Sequence, residues 1–213
     1  MLHAKTDART PDAMIAPVEL RPARSDDARD LAQLANIAGD GFPLYVWGQL
    51  ADPRESAMDA GVARAGRTEG SFSYTNAVVA QIGGRVAGCV VGYPLAERLP
   101  PIPADMPAMS RPLQALENRV ASSLYVNFLA VYPDDRHRGI ATQLIAAAAA
   151  KARAVRARDL TLIAADANAT GLAFYAALGF REIGREVMVK EGWIGHGRNW
   201  ALLSRPVAAA ESG

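Results

Sequence analysis

The sequence predicts an α/β protein (α+β type) whose mixed, mostly antiparallel sheet carries helices on both faces. Three observations support this fold class. Two strand-like runs meet at Gly83 and Gly84, and glycine supplies the positive φ that a hairpin turn needs. Strand-like and helix-like segments alternate between residues 123 and 181, which favours local parallel pairing. The last strand-like runs, residues 181–191 and 198–206, are joined by a glycine-rich loop and favour antiparallel pairing.

Length and composition indicate a globular protein with a sizeable core. The chain has 213 residues, of which 50% are hydrophobic, enough to build one large domain. We expect a single domain over residues 18–207, with flexible tails at residues 1–17 and 208–213. The formal net charge is only +1, and no run of Lys or Arg is sustained. The basic footprint of nucleic-acid-binding proteins is missing, so we expect no nucleic-acid partner.

Cysteine usage and hydropathy bear on the location of the protein. Cys89 is the only cysteine, so no internal disulfide can form, and no Cys/His cluster has the spacing of a zinc site. We therefore expect a reducing, cytoplasmic environment and no metal. No apolar run approaches the roughly 20 residues of a membrane span, and residues 1–17 lack the apolar stretch of a signal peptide. We expect no membrane association.

The first part of the chain predicts one strand and two helices. A strand-like run covers residues 18–23, and Ser25 is placed to cap a helix that ends at Gly39. Asp52 and Pro53 are residue types preferred at the cap and the first position of a second helix. The aromatic segment GFPLYVWG, residues 41–48, lies between these two predicted helices.

Five prolines interrupt the middle of the chain between residues 96 and 112. Because proline is excluded from helix interiors and central strands, we predict a surface insertion over about residues 94–112. A short helix is predicted to follow at residues 113–120. The next run, residues 123–131, is almost continuously apolar, which is typical of a strand in the centre of a sheet.

An unusual charge pattern follows this central strand and precedes a helical pattern from Ile140. Arg136 and Arg138 are followed by Gly139, although a helix start favours negative charge by about 0.3–1 kcal/mol. Unpaired backbone N–H groups at a helix start form an anion site suited to phosphate, and glycine permits close approach. The two generic nucleotide-phosphate motifs are absent. An ordinary glycine turn with solvated arginines is the alternative interpretation.

Two motifs in this half of the chain resemble those of the GNAT superfamily of acyl-CoA-dependent N-acyltransferases. Residues 136–141, RHRGIA, match the signature R/Q-x-x-G-x-G/A behind the expected strand. Downstream, a helix predicted from Asn168 to Gly179 contains Tyr175 and matches the segment N-x-x-(A/G)-x-x-x-Y-x-x-x-G-F. Together the motifs cover roughly residues 123–181, in the family's order and spacing. The GNAT fold is therefore expected.

The resemblance implies an acetyl-CoA site that is built mainly from backbone groups. The strand edge at Leu129, Ala130 and Val131 would pair with the pantetheine arm as an added strand does, and Asn168 would contact that arm from the other side. Consecutive backbone amides would hold the pyrophosphate, and they belong to Arg136, His137, Arg138, Gly139, Ile140, Ala141 and Thr142. Among the side chains, Arg136 fills the signature position, Arg138 is the weaker candidate for phosphate contact, and that of His137 is expected to be solvated.

The resemblance also implies direct attack of an amine on the thioester, with Tyr175 as the acid that protonates the leaving thiolate. A phenol with a reference pKa near 10 is protonated at neutral pH. The alternative is that Tyr175 is a packing residue. The cleft-facing positions of the central strand hold Tyr125 and Asn127, and neither is a good base. A water relay ending at Glu117, or an amine that arrives neutral, would serve instead, although Glu117 also suits a surface position.

Acceptor recognition is assigned to aromatic segments outside the two motifs. The predicted acceptor-binding residues are Phe42, Tyr45, Trp47, Tyr125 and Asn127. Trp193, His196 and Trp200 would form the opposite rim, with His196 in an exposed and mobile loop. Ordinary core packing is the alternative for the aromatic rings of both groups.

Two functions from different classes remain open on the sequence alone. The first is an N-acetyltransferase that moves an acetyl group from acetyl-CoA to a primary amine of a small molecule or peptide. The second is a non-catalytic acyl-CoA-binding sensor or interaction module. Tyr175 favours the first function, and the missing base leaves room for the second. A homodimer is compatible with either.

Overall fold

The computed structural model describes residues 16–207 of the protein. Residues 1–15 of the predicted N-terminal tail and the predicted C-terminal tail, residues 208–213, lie outside the described residues. All strands belong to one sheet with the order β1-β2-β3-β4-β5-β7-β6. The strands are β1 (Val18–Pro22), β2 (Ala77–Ile82), β3 (Arg85–Pro94), β4 (Leu124–Val131), β5 (Asp159–Ala165), β6 (Arg181–Val187) and β7 (Asn199–Pro206).

The pairing of the strands confirms the predicted mixed, mostly antiparallel sheet. Every pairing is antiparallel except that of β4 with β5. β2 and β3 form the expected hairpin, with Gly83 and Gly84 at φ +57° and +80°. β4 occupies the centre of the sheet, as its apolar run predicts. The chain order does not reveal that β7 enters between β5 and β6.

Helices cover both faces of this sheet, as expected. They are α1 (Ala28–Ala38), α2 (Phe42–Leu50), α3 (Ala57–Ala65), α4 (Arg111–Glu117), α5 (Ile140–Ala154) and α6 (Ala169–Ala177). α5 and α6 lie on one face, where Leu144 and Ile145 are buried against alternate residues of the central strands. α1 to α4 lie on the opposite face, where Leu31 and Leu34 of α1 are buried against β2 and β3.

The aromatic segment between the first two predicted helices is itself a helix. Gly41, at φ +82°, ends the preceding turn, and α2 begins at Phe42 with proline in its first turn. The segment is apolar on almost every side and lacks a polar cap, so neither periodicity nor a capping residue indicated a helix. The prediction of a connecting segment was wrong.

Two helix starts also differ from the prediction. α3 is capped by Ser56, whose hydroxyl accepts the backbone N–H of Asp59 at 3.1 Å. Asp52 instead accepts the N–H of Arg54 at 2.9 Å in the preceding turn. Before α1, Ser25 lies in a single turn of 3₁₀ helix, and the carboxylate of Asp27 binds the backbone N–H of Arg24 at 2.6 Å. Neither Ser25 nor Asp52 therefore caps an α-helix.

The proline-rich insertion predicted over about residues 94–112 overlaps the end of β3 and the start of α4. Residues 95–107 contain neither helix nor strand, and α4 follows close to its predicted position. Arg111 holds the insertion together, because its guanidinium donates to the carbonyls of Ala104 and Met106. Leu95 and Met109 are buried beneath it. The insertion therefore packs onto the α4 side of the sheet rather than extending away from it.

Candidate active site

The two central strands separate in the middle of the sheet. β4 and β5 pair only through Leu124–Val126 and residues 160–162, after which they diverge. At the same level the register of β3 with β4 shifts, so that Asn127 has no partner on β3. Such a bulge re-aims the backbone and is common beside active sites. Beyond it, residues 127–131 have a neighbouring strand on the β3 side only.

A lysine stabilises the bulge from the α5 face. Lys151 donates from Nζ to the carbonyl oxygen of Gly92, opposite the bulge, at 2.7 Å. Burial lowers the pKa of Lys151. The carbonyl of Gly92 therefore has a hydrogen-bond donor from α5 at the level of the bulge.

The segment between β4 and α5 exposes a row of backbone donors. His137 and Gly139 have φ of +61° and +72°, and Gly139 is the cap of α5. The first helical bond runs from the N–H of Gln143 to the carbonyl of Gly139. In the described chain, the N–H groups of residues 137–142 therefore have no backbone acceptor. We call these residues the cradle, and together with the helix dipole they form an anion site.

A buried carboxylate fixes the cradle from behind. Asp135 is buried, and both of its oxygens accept from Arg85, at 2.7 and 2.9 Å. Arg138 Nη1 lies 3.4 Å from Asp135 Oδ1, and Arg138 Nη2 donates to the carbonyl of Ala16. The hydrogen bonds from Arg85 lower the pKa of Asp135. Arg138 is thus engaged elsewhere, whereas Arg136 is exposed and its Nε lies 3.4 Å from the carbonyl of Val131.

Tyr175 lies on α6, on the same face of the sheet as α5. Its ring contacts Phe174 and Phe180 edge-on at centroid distances of 5.4 and 5.7 Å. It packs against the same core cluster as Leu129 and Val131 of the open β4 edge. Within residues 16–207 the hydroxyl of Tyr175 has no hydrogen-bond partner, and burial raises its pKa to about 12. The phenol is therefore protonated at neutral pH and has a proton to donate.

Asn168 begins α6 beside the end of β5. Its Oδ1 accepts the backbone N–H of Gly171 at 2.9 Å, so the side chain caps the helix. The residue is exposed, and its amide group makes no other hydrogen bond in the described chain. The side-chain NH₂ remains available to a ligand that enters between β4 and β5.

The predicted acceptor residues divide into two groups. Phe42, Tyr45 and Tyr125 belong to one aromatic cluster on the α2 and α4 face, which also contains Trp193 and Trp200. We call this the acceptor-side cluster. Its tryptophan rings stack at 5.8 Å, and Phe42 meets both edge-on. Asn127, at the bulge, is half-buried.

Trp47 does not belong to the acceptor-side cluster. Its side chain is 5% exposed and packs between α1, α2 and α3, stacked on Phe72. It fits so closely that a Cβ on Gly61 would approach its ring to 2.3 Å. The prediction that Trp47 lines an acceptor wall is not supported, because helical spacing turns it away from Phe42 and Tyr45.

Asp40 and Glu117, on the face of the acceptor-side cluster, have roles or positions that the sequence did not indicate. Asp40 ties down the loop between β6 and β7: its carboxylate accepts from His196 Nδ1 and N, and its carbonyl accepts from Trp193 Nε1. His196 is exposed but anchored, unlike the mobile residue expected. Glu117 is half-buried rather than on the surface, and the hydroxyl of Tyr93 donates to it at 3.4 Å. Only proximity in the fold reveals these partners.

Two further observations concern the described residues as a whole. No group of three or more His, Cys, Asp or Glu side chains between residues 16 and 207 has the arrangement of a metal site. In the same range, every helix is too short or too polar to cross a bilayer.

The comparisons with known proteins agree with this geometry. The model of the acetyltransferase (GNAT) family matches residues 32–180. The chain belongs to the GNAT family. It is therefore an acyltransferase that uses an acyl-CoA donor, and this membership favours the catalytic one of the two functions left open by the sequence. No curated protein sequence matches the chain.

Solved structures with the same fold include three acetyltransferases. One described as an acetyltransferase has a TM-score of 0.62 and 18% identity, covering 89% of this chain and all (100%) of its own. An N-acetyltransferase from Staphylococcus aureus Mu50 has a TM-score of 0.59 and 19% identity, covering 88% of this chain and 100% of its own. N-acetylglutamate synthase from Neisseria gonorrhoeae, complexed with coenzyme A and N-acetylglutamate, has a TM-score of 0.54 and 18% identity, over 91% of this chain and 36% of its own. At these identities the likeness concerns the fold.

Proposed function

We propose that the protein transfers the acetyl group of acetyl-CoA to a primary amine of a small molecule or peptide. The observation that carries this proposal is the alignment of three features along one path. They are the cradle of free N–H groups, the open edge of β4, and the unpartnered hydroxyl of Tyr175. A phosphate-bearing thioester fits such a path from its charged end to its reactive end.

Donor binding is assigned mainly to backbone groups. The N–H groups of the cradle and the positive end of the α5 dipole bind the pyrophosphate. The edge at Leu129, Ala130 and Val131 pairs with the amide-bearing arm, and the NH₂ of Asn168 contacts it from the β5 side. Arg136 adds charge near the pyrophosphate, while Arg138 holds Asp135 and thereby the shape of the cradle.

The chemical step is direct transfer. The amine nitrogen attacks the thioester carbonyl, the C–S bond breaks, and Tyr175 donates its proton to the departing thiolate. The raised pKa of Tyr175 keeps the phenol protonated across the neutral range.

The acceptor binds on the opposite face of the sheet, beside the acceptor-side cluster. Phe42 and Tyr45 supply aromatic surface there, Tyr125 lies buried beneath them in the same cluster, and Asn127 is the polar side chain at the bulge. An amine with an apolar portion suits this surface. The buried free thiol of Cys89 is consistent with the cytoplasmic location predicted from the sequence. A homodimer stays a prediction.

Release of free CoA across a panel of amines tests the proposal. The panel holds amino acids, polyamines, aminoglycosides and peptides with free N-termini, each with acetyl-CoA and with a blank lacking amine. We expect at least one amine to raise CoA release well above the blank, with the N-acetyl product confirmed by mass spectrometry. Acetyl-CoA binding without transfer to any amine would overturn the proposed acceptor class and favour the non-catalytic alternative.

A further inference from the structure

The central strand supplies no base, yet an unused carboxylate lies close to it. An amine that is protonated at neutral pH must lose a proton before it can attack. Tyr125 and Asn127, on β4, cannot accept that proton efficiently. Glu117 ends α4, is half-buried, and accepts a hydrogen bond of 3.4 Å from the hydroxyl of Tyr93 on β3.

The position of Tyr93 connects Glu117 to the acceptor side of the bulge. Tyr93 is paired with Tyr125 across β3 and β4, and the two rings meet edge-on at 5.6 Å. Both rings belong to the acceptor-side cluster. Tyr125 lies two residues before Asn127, where β4 bulges and the path of the donor is expected to emerge. Tyr93 thus contacts Tyr125 through its ring and Glu117 through its hydroxyl.

Glu117 has no basic partner in the described chain. The elements that pack against α4 are β5, β6, β7 and the 3₁₀ turn at residues 108–110, and that turn carries no charged side chain. The charged side chains of the three strands and of the α4 region are engaged with other groups or exposed, and none bonds to Glu117: Arg111, Arg119, Asp159, Arg181, Glu182, Arg185, Glu186 and Arg205. Burial raises the pKa of Glu117, and the bond from Tyr93 only partly opposes this. A carboxylate of raised pKa is the better base.

The histidines of the described chain do not replace Glu117. His196 is held by the carboxylate of Asp40, with Nδ1 and Oδ2 at 2.7 Å. His137 is exposed in the cradle, at the charged end of the donor site.

We propose that Glu117 accepts the proton of the acceptor ammonium through the hydroxyl of Tyr93. This proposal rests on the proposed N-acetyl transfer. As an N–H bond of the ammonium breaks, its proton passes to the Tyr93 oxygen and the phenolic proton passes to Glu117. The products of this step are a neutral amine, an unchanged phenol and a neutral carboxylic acid.

The proton transfers that follow deprotonation of the ammonium need no other catalytic side chain. When the amine has formed the C–N bond and the C–S bond has broken, Tyr175 protonates the thiolate. The second nitrogen proton, lost as the amide forms, restores Tyr175 through solvent. Glu117 then releases its proton to water. Tyr175 therefore acts on the donor side of the sheet, and Tyr93 with Glu117 on the acceptor side.

The pH dependence of Glu117→Gln is the decisive measurement. For the parent, kcat/KM for the amine should rise with pH and level off at an apparent pKa above the ordinary range of a carboxyl group. For Glu117→Gln we expect a loss of about 10²-fold near pH 7. The loss should shrink as pH approaches the pKa of the amine itself, because free amine then needs no base. Tyr93→Phe, which keeps the ring, should show the same pattern.

Controls separate this proposal from structural effects and from the proposed function. Glu97→Gln changes an exposed acid in the neighbouring insertion and should leave the profile unchanged. Acetyl-CoA affinity, measured by calorimetry, should be the same in all variants. A parent that acetylates no amine overturns the proposed function and this proposal with it. An active parent overturns only the role of Glu117 if the variants Glu117→Gln and Tyr93→Phe keep the parental rate, or lose the same factor at every pH.

Discussion

The donor half and the acceptor half of the site are built from different parts of the polypeptide. Around β4 and α5, the binding groups are backbone N–H and C=O groups whose geometry depends on positive φ at His137 and Gly139. On the opposite face, the surface consists of side chains from separate parts of the chain, which include α2, β3, α4, β4, β7 and the loop before β7. The first half is local in sequence, whereas the second is assembled by the fold.

This difference determines how each half responds to substitution. A backbone site tolerates changes of side chain but is sensitive to any change that alters φ and ψ. A side-chain surface behaves in the opposite way, since each ring contributes through its shape. Substitutions in the two halves should therefore separate donor binding, acceptor binding and chemistry.

The largest effect is expected at Tyr175, on the donor side of the sheet. Tyr175→Phe keeps the ring and its packing against Phe174 and Phe180, so folding and acetyl-CoA affinity should be unchanged. Loss of the general acid should lower kcat by about 10²–10⁴-fold. Pre-steady-state and steady-state measurement of CoA release at saturating amine is the test. The loss should be smaller with an acyl donor whose leaving thiol is more acidic.

Tyr74→Phe is the control for this experiment, because Tyr74 packs beneath α1 on the other face. It should retain the parental kcat. Parental turnover in Tyr175→Phe, with chemistry shown to limit the rate, would make Tyr175 a packing residue.

The next effect is expected in the cradle. Gly139→Val forces a β-branched residue to φ +72°, although a Cβ there would meet no other atom within 4 Å. The backbone strain of about 1–3 kcal/mol should displace the N–H groups and weaken acetyl-CoA binding about 10-fold or more. Calorimetric titration measures this loss.

A matched variant tests whether strain alone explains the result. Gly70 has φ +95° and equally open surroundings, but lies in a loop outside the cradle. Gly70→Val should lower thermal stability to a similar extent and leave acetyl-CoA affinity intact. Undiminished affinity in folded Gly139→Val would contradict the assignment of the cradle to phosphate.

The smallest effect is expected at the acceptor face. Asp40→Ala removes the carboxylate that holds His196, which should loosen the loop bearing Trp193. The KM for the amine should rise about 2- to 10-fold, as expected for one or two lost hydrogen bonds, with acetyl-CoA affinity unchanged. Steady-state kinetics with each substrate varied in turn distinguishes the two constants. Asp26→Ala, another exposed acid, is the control.

The pH dependence of this contact follows from the lowered pKa of Asp40. The backbone N–H of His196 is the main cause of the lowering, followed by its side chain. When folding lowers the pKa of a carboxyl group, its ionised form stabilises the folded loop. This stabilisation is complete at pH values above the pKa of the unfolded state, and it is lost as the pH falls through the pKa of the folded state. The effect of Asp40→Ala should therefore be constant from pH 6 to 9. A strong change within that range would assign the contact to another group.

The sequence predicts the donor half better than the acceptor half for a physical reason. Gly139, Asn168 and Tyr175 occupy fixed spacings because one strand, one turn and one helix present them, and such local geometry leaves a pattern in the chain. Glu117 and Tyr93 are 24 residues apart and meet only because the end of α4 and the side chain of Tyr93 belong to the same face of the folded sheet. No spacing rule encodes that contact.

The same reasoning explains the errors in the fold. α2 was missed because it is apolar on nearly all sides, so its periodicity is weak. Trp47 was assigned to the acceptor wall with Phe42 and Tyr45 because all three share a segment. In a helix, positions 42 and 45 face one way and position 47 another. Once α2 is known to be helical, the separate burial of Trp47 follows.

The stacked tryptophans of β7 and of the loop before it give the protein an optical probe at its acceptor face. The chain has three tryptophans, and two of them, Trp193 and Trp200, stack with an interplanar angle of 5°. Indole rings so close and parallel couple their electronic transitions, which contributes to near-ultraviolet circular dichroism. Trp47, buried among α1, α2 and α3, supplies a constant background. Any ligand that displaces Trp193 should therefore change this spectrum without a label, while a ligand confined to the cradle should leave it unaltered.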